Sequence, residues 1–404
     1  MARRSYRIDA LLVAGILLVL SSCSSDDSYG SAESMEYFNS QSGCQIGDTC
    51  YMNFAGMDIQ VWNPGWEEMR VGLCCDPLCS HDSTDSLCPS SANLWAKTVV
   101  TDGTRLYMNV LNPALTDENG TMYRQIFSMN RDGSAFTLLH TYDATGNSSP
   151  YMQYADGYLY FQQGFYNENY DPMAEYTASA VQSAHIMRIS VDGGKTETVL
   201  SEELDIGSSF FVDAEQYYLF SPGFTNMTRL DVIDPDTKAV TENVLPAANG
   251  ELYEITVYAG KTWLSTLDGD LYVLSDDGFA LVCEDKGRYT FGGGIWYTEE
   301  AEPLYLGAKE MPTGAPGGET AQRAYYVTAT TALCRIDPLD HNITEYALGA
   351  DFDPEDTIII ACATDSGILA DVSNGRAAFA SDAEGYSCLV GIADGKLTQE
   401  KIYE

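Results

Sequence analysis

Cys75, Cys79, His81 and Cys88 form a C-x3-C-x-H-x6-C array within the segment CCDPLCSHDSTDSLCP. Three thiolates and one imidazole are an acceptable tetrahedral ligand set for zinc. Cys79 and His81 are two residues apart, so on an extended strand their side chains share a side. The spacing is not that of a zinc finger, and the same thiols are available for disulfide pairing. A second group with metal-binding chemistry is the acidic run Asp351, Asp353, Glu355 and Asp356, whose hard oxygen ligands suit calcium. It lacks the glycine spacing of an EF-hand loop, and a solvated turn is the preferred reading. Ser190 to Thr196 (SVDGGKT) fits the frame of a sialidase Asp box, with Glu197 where an aromatic is usual. Such boxes are structural turns. His140, His185 and His341 are isolated from one another in sequence, and neither a G-x-S-x-G elbow nor an H-E-x-x-H helix is present.

The leader sets the compartment in which these residues work. Arg3, Arg4 and Arg7 precede an apolar run from Ala10 to Leu20, followed by small residues and Cys23. That order is a secretory signal. An apolar run of about eleven residues falls short of the roughly twenty that a spanning helix needs. Leu20-Ser21-Ser22-Cys23 resembles the lipobox of bacterial lipoproteins. The resemblance implies cleavage before Cys23 and a diacylglyceryl group on its sulfur, with palmitate-type acyl chains. Residues 1–22 are then the signal peptide, residues 23–35 a polar tether, and residues 36–404 a single domain anchored outside the cytoplasm to the cell membrane.

Export favours disulfides over metal for the cysteines. The chain has 11 cysteines, and an even number remains once Cys23 is set aside. Cys44, Cys50, Cys74, Cys75, Cys79 and Cys88 fall early, and the segment at about 72–92 reads as a stapled insertion on the rim of the domain. Cys283, Cys334, Cys362 and Cys388 lie in apolar runs and read as core.

The charge excludes some partners. With 59 acidic and 21 basic residues the net charge is −38, and loss of the leader takes it to about −40. Nucleic-acid binding runs on basic residues that neutralise phosphate, so it is excluded. The acidity serves solubility first, with cationic ligands or divalent metals as a further use.

The elements that must position these residues repeat. An apolar alternation, a tight turn rich in Asp, Gly or Pro, and a polar alternating run recur from Ile59, Ile126, Ile186, Leu230, Leu271, Leu333 and Leu389. Each copy predicts a hairpin: a half-buried strand, a turn and a return strand. One or two further strand-like runs precede each copy, giving four strands per unit. The spacings are 67, 60, 44, 41, 62 and 56 residues. The shorter values match propeller blades. The longer ones predict insertions after Val71, from Gln162 to Ser183 and from Leu306 to Gln322. The expected fold is an all-β propeller of seven four-stranded blades, monomeric.

Met129 to Ser134 (MNRDGS) is similar to a turn of TolB-like and low-density-lipoprotein-receptor-like propellers. Ile233 to Thr237 (IDPDT) is similar to a turn of quinoprotein-like propellers. In leader, repeats and early Cys/His segment the chain resembles β-propeller lipoproteins of anaerobic Gram-positive bacteria, a family with no assigned reaction. The tryptophan-docking repeats of quinoprotein dehydrogenases are not seen. The expected function is a non-catalytic binding module for a peptide, an envelope protein or a glycan. The alternative is a glycoside hydrolase or lyase using channel-facing carboxylates. Phe161 to Tyr176 is the candidate contact surface, because flat rings stack and amides hydrogen-bond. Trp62, Trp66, Trp95, Trp263 and Trp296 are expected in core or rim packing.

Overall fold

The computed structural model describes residues 37–40, 43–54, 58–67, 71–76, 79, 81, 88–117, 120–144, 152–166, 181–200, 209–212, 216–222, 227–242, 252–258, 261–266, 271–275, 278–283, 289–290, 296–297, 304–309, 330–336, 343–353, 356–364, 367–374 and 385–403. Every regular element among them is a β-strand. The leader, Cys23, the tether and His341 lie outside the described residues.

The first sheet runs β1 (Tyr37–Ser40), β2 (Gly43–Ile46), β3 (Thr49–Phe54), β4 (Asp58–Trp62) and β5 (Val71–Gly72). The second holds β6 (Trp95–Thr101), β7 (Leu106–Thr116), β8 (Met122–Met129) and β9 (Thr137–Asp143). The third holds β10 (Met152–Ala155), β11 (Tyr158–Tyr166), β12 (Val181–Ser190) and β13 (Glu197–Leu200). The fourth holds β14 (Ser209–Val212), β15 (Tyr217–Pro222), β16 (Met227–Ile233) and β17 (Val240–Thr241). The fifth holds β18 (Leu252–Tyr258), β19 (Lys261–Thr266), β20 (Leu271–Ser275) and β21 (Gly278–Cys283). The last has nine strands: β22 (Tyr289–Thr290), β23 (Trp296–Tyr297), β24 (Leu304–Lys309), β25 (Thr330–Ile336), β26 (Ile343–Leu348), β27 (Asp356–Thr364), β28 (Gly367–Asn374), β29 (Gly385–Ala393) and β30 (Lys396–Tyr403).

The six sheets form a ring, and the fold is a β-propeller. All seven repeat copies lie on a strand that pairs antiparallel with the next: β4 with β5, β8 with β9, β12 with β13, β16 with β17, β20 with β21, β25 with β26 and β29 with β30. Seven hairpins occupy six sheets because the last sheet carries two meanders. They join where β26 runs parallel to β30 over two pairs, Ala347 with Lys396 and Leu348 with Leu397. Gly349 lets the backbones meet there. Its N–H donates to the Leu397 carbonyl at 2.9 Å, and a Cβ on it would lie 2.2 Å from that oxygen. Part of the Gln162 to Ser183 insertion is strand instead: β11 and β12 pair from Gln162 with Ile186 to Phe165 with Ser183. Residues 167–180 and 310–322 lie outside the described residues.

The cores lie between sheets. In β3 the alternation of side chains splits neighbours between two of them. Tyr51 joins Cys44, Ile59 and Val61 against Val99, Met108 and Phe127 of the second sheet. Cys50 and Met52 face the other way, with Trp62, against Ile358, Cys362, Leu397 and Tyr403 of the last sheet. Two further clusters fill the joins between the second and third and between the third and fourth sheets. The first strands β6 and β10, and β10 and β14, contact one another across sheet boundaries, while outer strands such as β17 are exposed.

Amide side chains on first strands hold neighbouring sheets together. Asn39 of β1 donates to the Thr101 carbonyl of β6 and accepts from the Thr101 N–H, both at 2.9 Å. Gln153 of β10 treats β14 the same way, donating to the Phe210 carbonyl and accepting from the Val212 N–H. One side chain thus satisfies backbone groups that no adjacent strand reaches. The ring closes through side chains too. The indole Nε1 of buried Trp62 donates to the Tyr403 hydroxyl at 3.2 Å, between residues 341 apart. Lys401 Nζ donates to the Trp66 carbonyl at 2.7 Å beside it.

Candidate metal centre

The segment after β5 begins and ends on buried leucines, Leu73 and Leu94, both in the core between the first two sheets. Between them, the ligand atoms of Cys74, Cys79, His81 and Cys88 all lie within 4.8 Å of one another. Cys79 Sγ is 3.5 Å from Cys88 Sγ, and His81 Nδ1 is 3.4 Å from the same sulfur. The array expected from spacing is therefore altered by one residue: Cys74 stands in the group and Cys75 does not. β5 ends at Gly72 and the chain bends at Leu73 and Cys75, so strand alternation does not carry through the pair.

Local backbone bonds shape the group. Cys74 N–H donates to the Gly72 carbonyl at 2.8 Å, and Cys79 N–H to the Asp76 carbonyl at 3.1 Å. Ser91 N–H donates to the Cys88 carbonyl and Ala92 N–H to the His81 carbonyl, both at 3.0 Å. His81 has φ of 55°, left-handed and costly for a residue with a Cβ. The turn of the second sheet props the group from below. A Cβ on Gly133 would lie 3.1 Å from the Leu73 carbonyl oxygen and 3.4 Å from Cys74 Cα. Burial, with the Cys79 sulfur next, pushes the Cys88 thiol up to about 12, and burial raises Cys74 as well. A cation that draws the protons off would reverse that cost.

The other cysteines have different surroundings. Cys44, Cys50, Cys362 and Cys388 are fully buried in the inter-sheet cores. The Cys50 thiol is hydrogen-bonded to Cys362, and burial raises it well above the ordinary thiol range. No disulfide joins any two of Cys44, Cys50, Cys74, Cys75, Cys79, Cys88, Cys362 and Cys388.

Several acidic side chains brace the backbone, within turns or across to another strand. Asp356 accepts from the Asp353 N–H at 2.8 Å, and Asp351 accepts from the Gln399 N–H at 3.4 Å. In the Asp-box frame, Gly193 N–H donates to the Ser190 carbonyl and Asp192 N–H to the Ser190 hydroxyl. Asp102 is the most heavily used. Its Oδ1 accepts from Thr104 N–H, Thr104 Oγ1 and Arg105 N–H, and its Oδ2 from Tyr107 Oη, all at 2.7 Å. Burial alone would raise this carboxyl, and the four donors more than offset it, leaving it below the usual range. A depressed folded-state pKa means a contribution present above the unfolded value of about 3.9 and lost as pH falls through the folded value. We expect Asp102→Asn to flatten the fall in melting temperature below about pH 4 relative to the wild type.

The aromatic stretch divides. Phe161 is buried core, its ring centroid 4.6 Å from that of Tyr142 with the two rings tilted by 37°, and Gln162 is buried too. Of the tryptophans, Trp62 and Trp263 are buried, whereas Trp95 is 51 % exposed and Trp66 37 % exposed. His140 packs beside Tyr142 and Phe161, and burial holds its imidazole below the ordinary value. Sequence reasoning missed Arg124, which is buried in β8 with Nε and Nη1 lacking hydrogen-bond partners. Alternation gives no signal for it, because β8 is buried on both faces.

No protein-family model and no curated protein matches this sequence. Among solved structures, the chain is similar to a puromycin hydrolase S511A mutant complexed with PGG, at 11% identity and a TM-score of 0.51. That match covers 89% of this chain and 53% of the hydrolase, so the chain spans about half the length of that enzyme. A candidate 6-phosphogluconolactonase from Bacteroides fragilis aligns at 13% identity over 92% of this chain and 95% of its own, with a TM-score of 0.47. An acylaminoacyl peptidase of Pyrococcus horikoshii aligns at 11% identity over 87% and 49%, with a TM-score of 0.46. At these identities the likeness is one of fold.

Proposed function

We propose that the protein is a lipid-anchored extracytoplasmic propeller that binds a peptide, an envelope protein or a glycan without transforming it. The observation that carries this reading is a propeller domain behind a leader ending in Leu20-Ser21-Ser22-Cys23. Two acyl chains on Cys23 anchor stably, and a ring held by side-chain clamps presents loops on rigid sheets. The engagement of Asp102 and Asp356 in turns, and of Asp351 with the Gln399 N–H of β30, adds support, since it gives these acids a structural use.

Anchoring is tested by globomycin. The uncut precursor should accumulate, and labelled palmitate should enter the mature protein but not a Cys23→Ala variant. Unchanged processing would remove the lipobox from the account. Binding without turnover is tested on glycan and peptide panels. Saturable binding with unaltered ligand supports the proposal. Cleavage of a glycan, lost on substitution of a pair of acids, would replace it with the hydrolase reading.

A further inference from the structure

We infer that Cys74, Cys79, His81 and Cys88 hold one zinc ion, which ties down the connection between the first and second sheets. The geometry is close to what the metal asks for. Zinc bonds of about 2.3 Å to sulfur and 2.0–2.1 Å to nitrogen place tetrahedral ligand atoms about 3.8 Å (S to S) and 3.6 Å (S to N) apart. Two of the separations here are 3.5 Å and 3.4 Å, and none exceeds 4.8 Å. A disulfide between Cys79 and Cys88 would need sulfurs about 2.05 Å apart. It would also leave Cys74 and His81 converging on the pair without a use. Mixed sulfur and imidazole ligation selects zinc over calcium or magnesium, which take oxygen.

The sequence explains the need. CCDPLCSHDSTDSLCPSSAN is made mostly of small and polar residues, with two leucines inside it. Such a segment cannot build an apolar core of its own, and a metal is the usual substitute. Its ends are already fixed by Leu73 and Leu94, and the Gly133 turn supports Cys74. Binding releases the protons of three thiols to solvent and leaves His81 neutral, so the loaded group carries one net negative charge. With all four positions taken by protein the site is closed, which is the structural type. The inference stands independently of anchoring and of the ligand on the propeller.

The test uses the purified protein, prepared with thiol protection and zinc, and measures metal by mass spectrometry. About one zinc per chain is expected. Cys74→Ser, Cys79→Ser and Cys88→Ser should each bring it to near zero, whereas Cys75→Ser should keep it. Cobalt replacement should give the visible bands of tetrahedral thiolate-ligated cobalt. His81→Cys retains four ligands, so it should keep the metal with stronger charge-transfer absorption, which separates loss of a ligand from loss of fold. Retention in Cys74→Ser with loss in Cys75→Ser would overturn the assignment. So would metal-free wild-type protein whose non-reducing peptide map shows Cys79 bonded to Cys88.

Discussion

Trp62→Ala is expected to cost about 3–5 kcal/mol and to loosen the ring where its first and last sheets meet. Trp62 is fully buried in the cluster that also holds Ile358, Cys362, Leu369, Leu397 and Tyr403 of the last sheet. Truncation removes the apolar contacts of an indole, leaves a cavity between two sheets, and takes the donor from the Tyr403 hydroxyl. The first and last sheets share no strand, so packing must supply what pairing does not. Chemical denaturation with tryptophan-independent circular dichroism measures the loss. Trp66→Ala is the control: at 37 % exposure its side chain should cost under about 1 kcal/mol. Equal losses at the two positions would contradict closure through Trp62.

Gly43→Ala is expected to destabilise by more than about 3 kcal/mol. Gly43 has φ of 146°, and a Cβ there would lie 2.1 Å from the Tyr51 carbonyl oxygen. That oxygen belongs to β3, which pairs antiparallel with β2 in the first sheet. The three atoms nearest that Cβ are all β3 backbone, which cannot swing aside, so the hairpin must part or shift. Gly157→Ala separates the two penalties. It shares a positive φ, 77°, but has nothing within 4 Å of the would-be Cβ. Its cost should stay near the 1 kcal/mol expected for a left-handed alanine. Thermal unfolding of both variants reads the difference. A Gly43→Ala variant as stable as Gly157→Ala would mean the β2–β3 hairpin is not packed as described.

The propeller was legible because its signal is local and repeated. Alternation and turn residues act over about ten residues, and each of the seven hairpins falls where its pattern begins. Asp234 shows why: it accepts from Asp236 N–H and Thr237 N–H, a turn written entirely in the IDPDT segment. The merger of the last two meanders was not legible. It depends on Gly349 touching Leu397, a contact between distant stretches. The choice of Cys74 over Cys75 turns on which side of the chain faces inward after β5, and spacing alone does not carry that. Phe161 reads as part of a surface from its composition, yet pairing with β12 sends it into the core. Cys44 and Cys50, grouped with the early cysteines by position, lie in separate cores on the two faces of the first sheet. Trp95 is exposed although it opens a strand, because the ladder to β7 is irregular between Trp95 and Thr98.

The closed ring is tested most directly by a double-mutant cycle at its join. Trp62→Phe removes the indole donor and Tyr403→Phe removes the hydroxyl acceptor, each keeping an aromatic ring in place. The account predicts that the two costs are not additive, with a coupling of about 0.5–1.5 kcal/mol across 341 residues of chain. Additivity to within about 0.3 kcal/mol would show that the first and last sheets do not meet there.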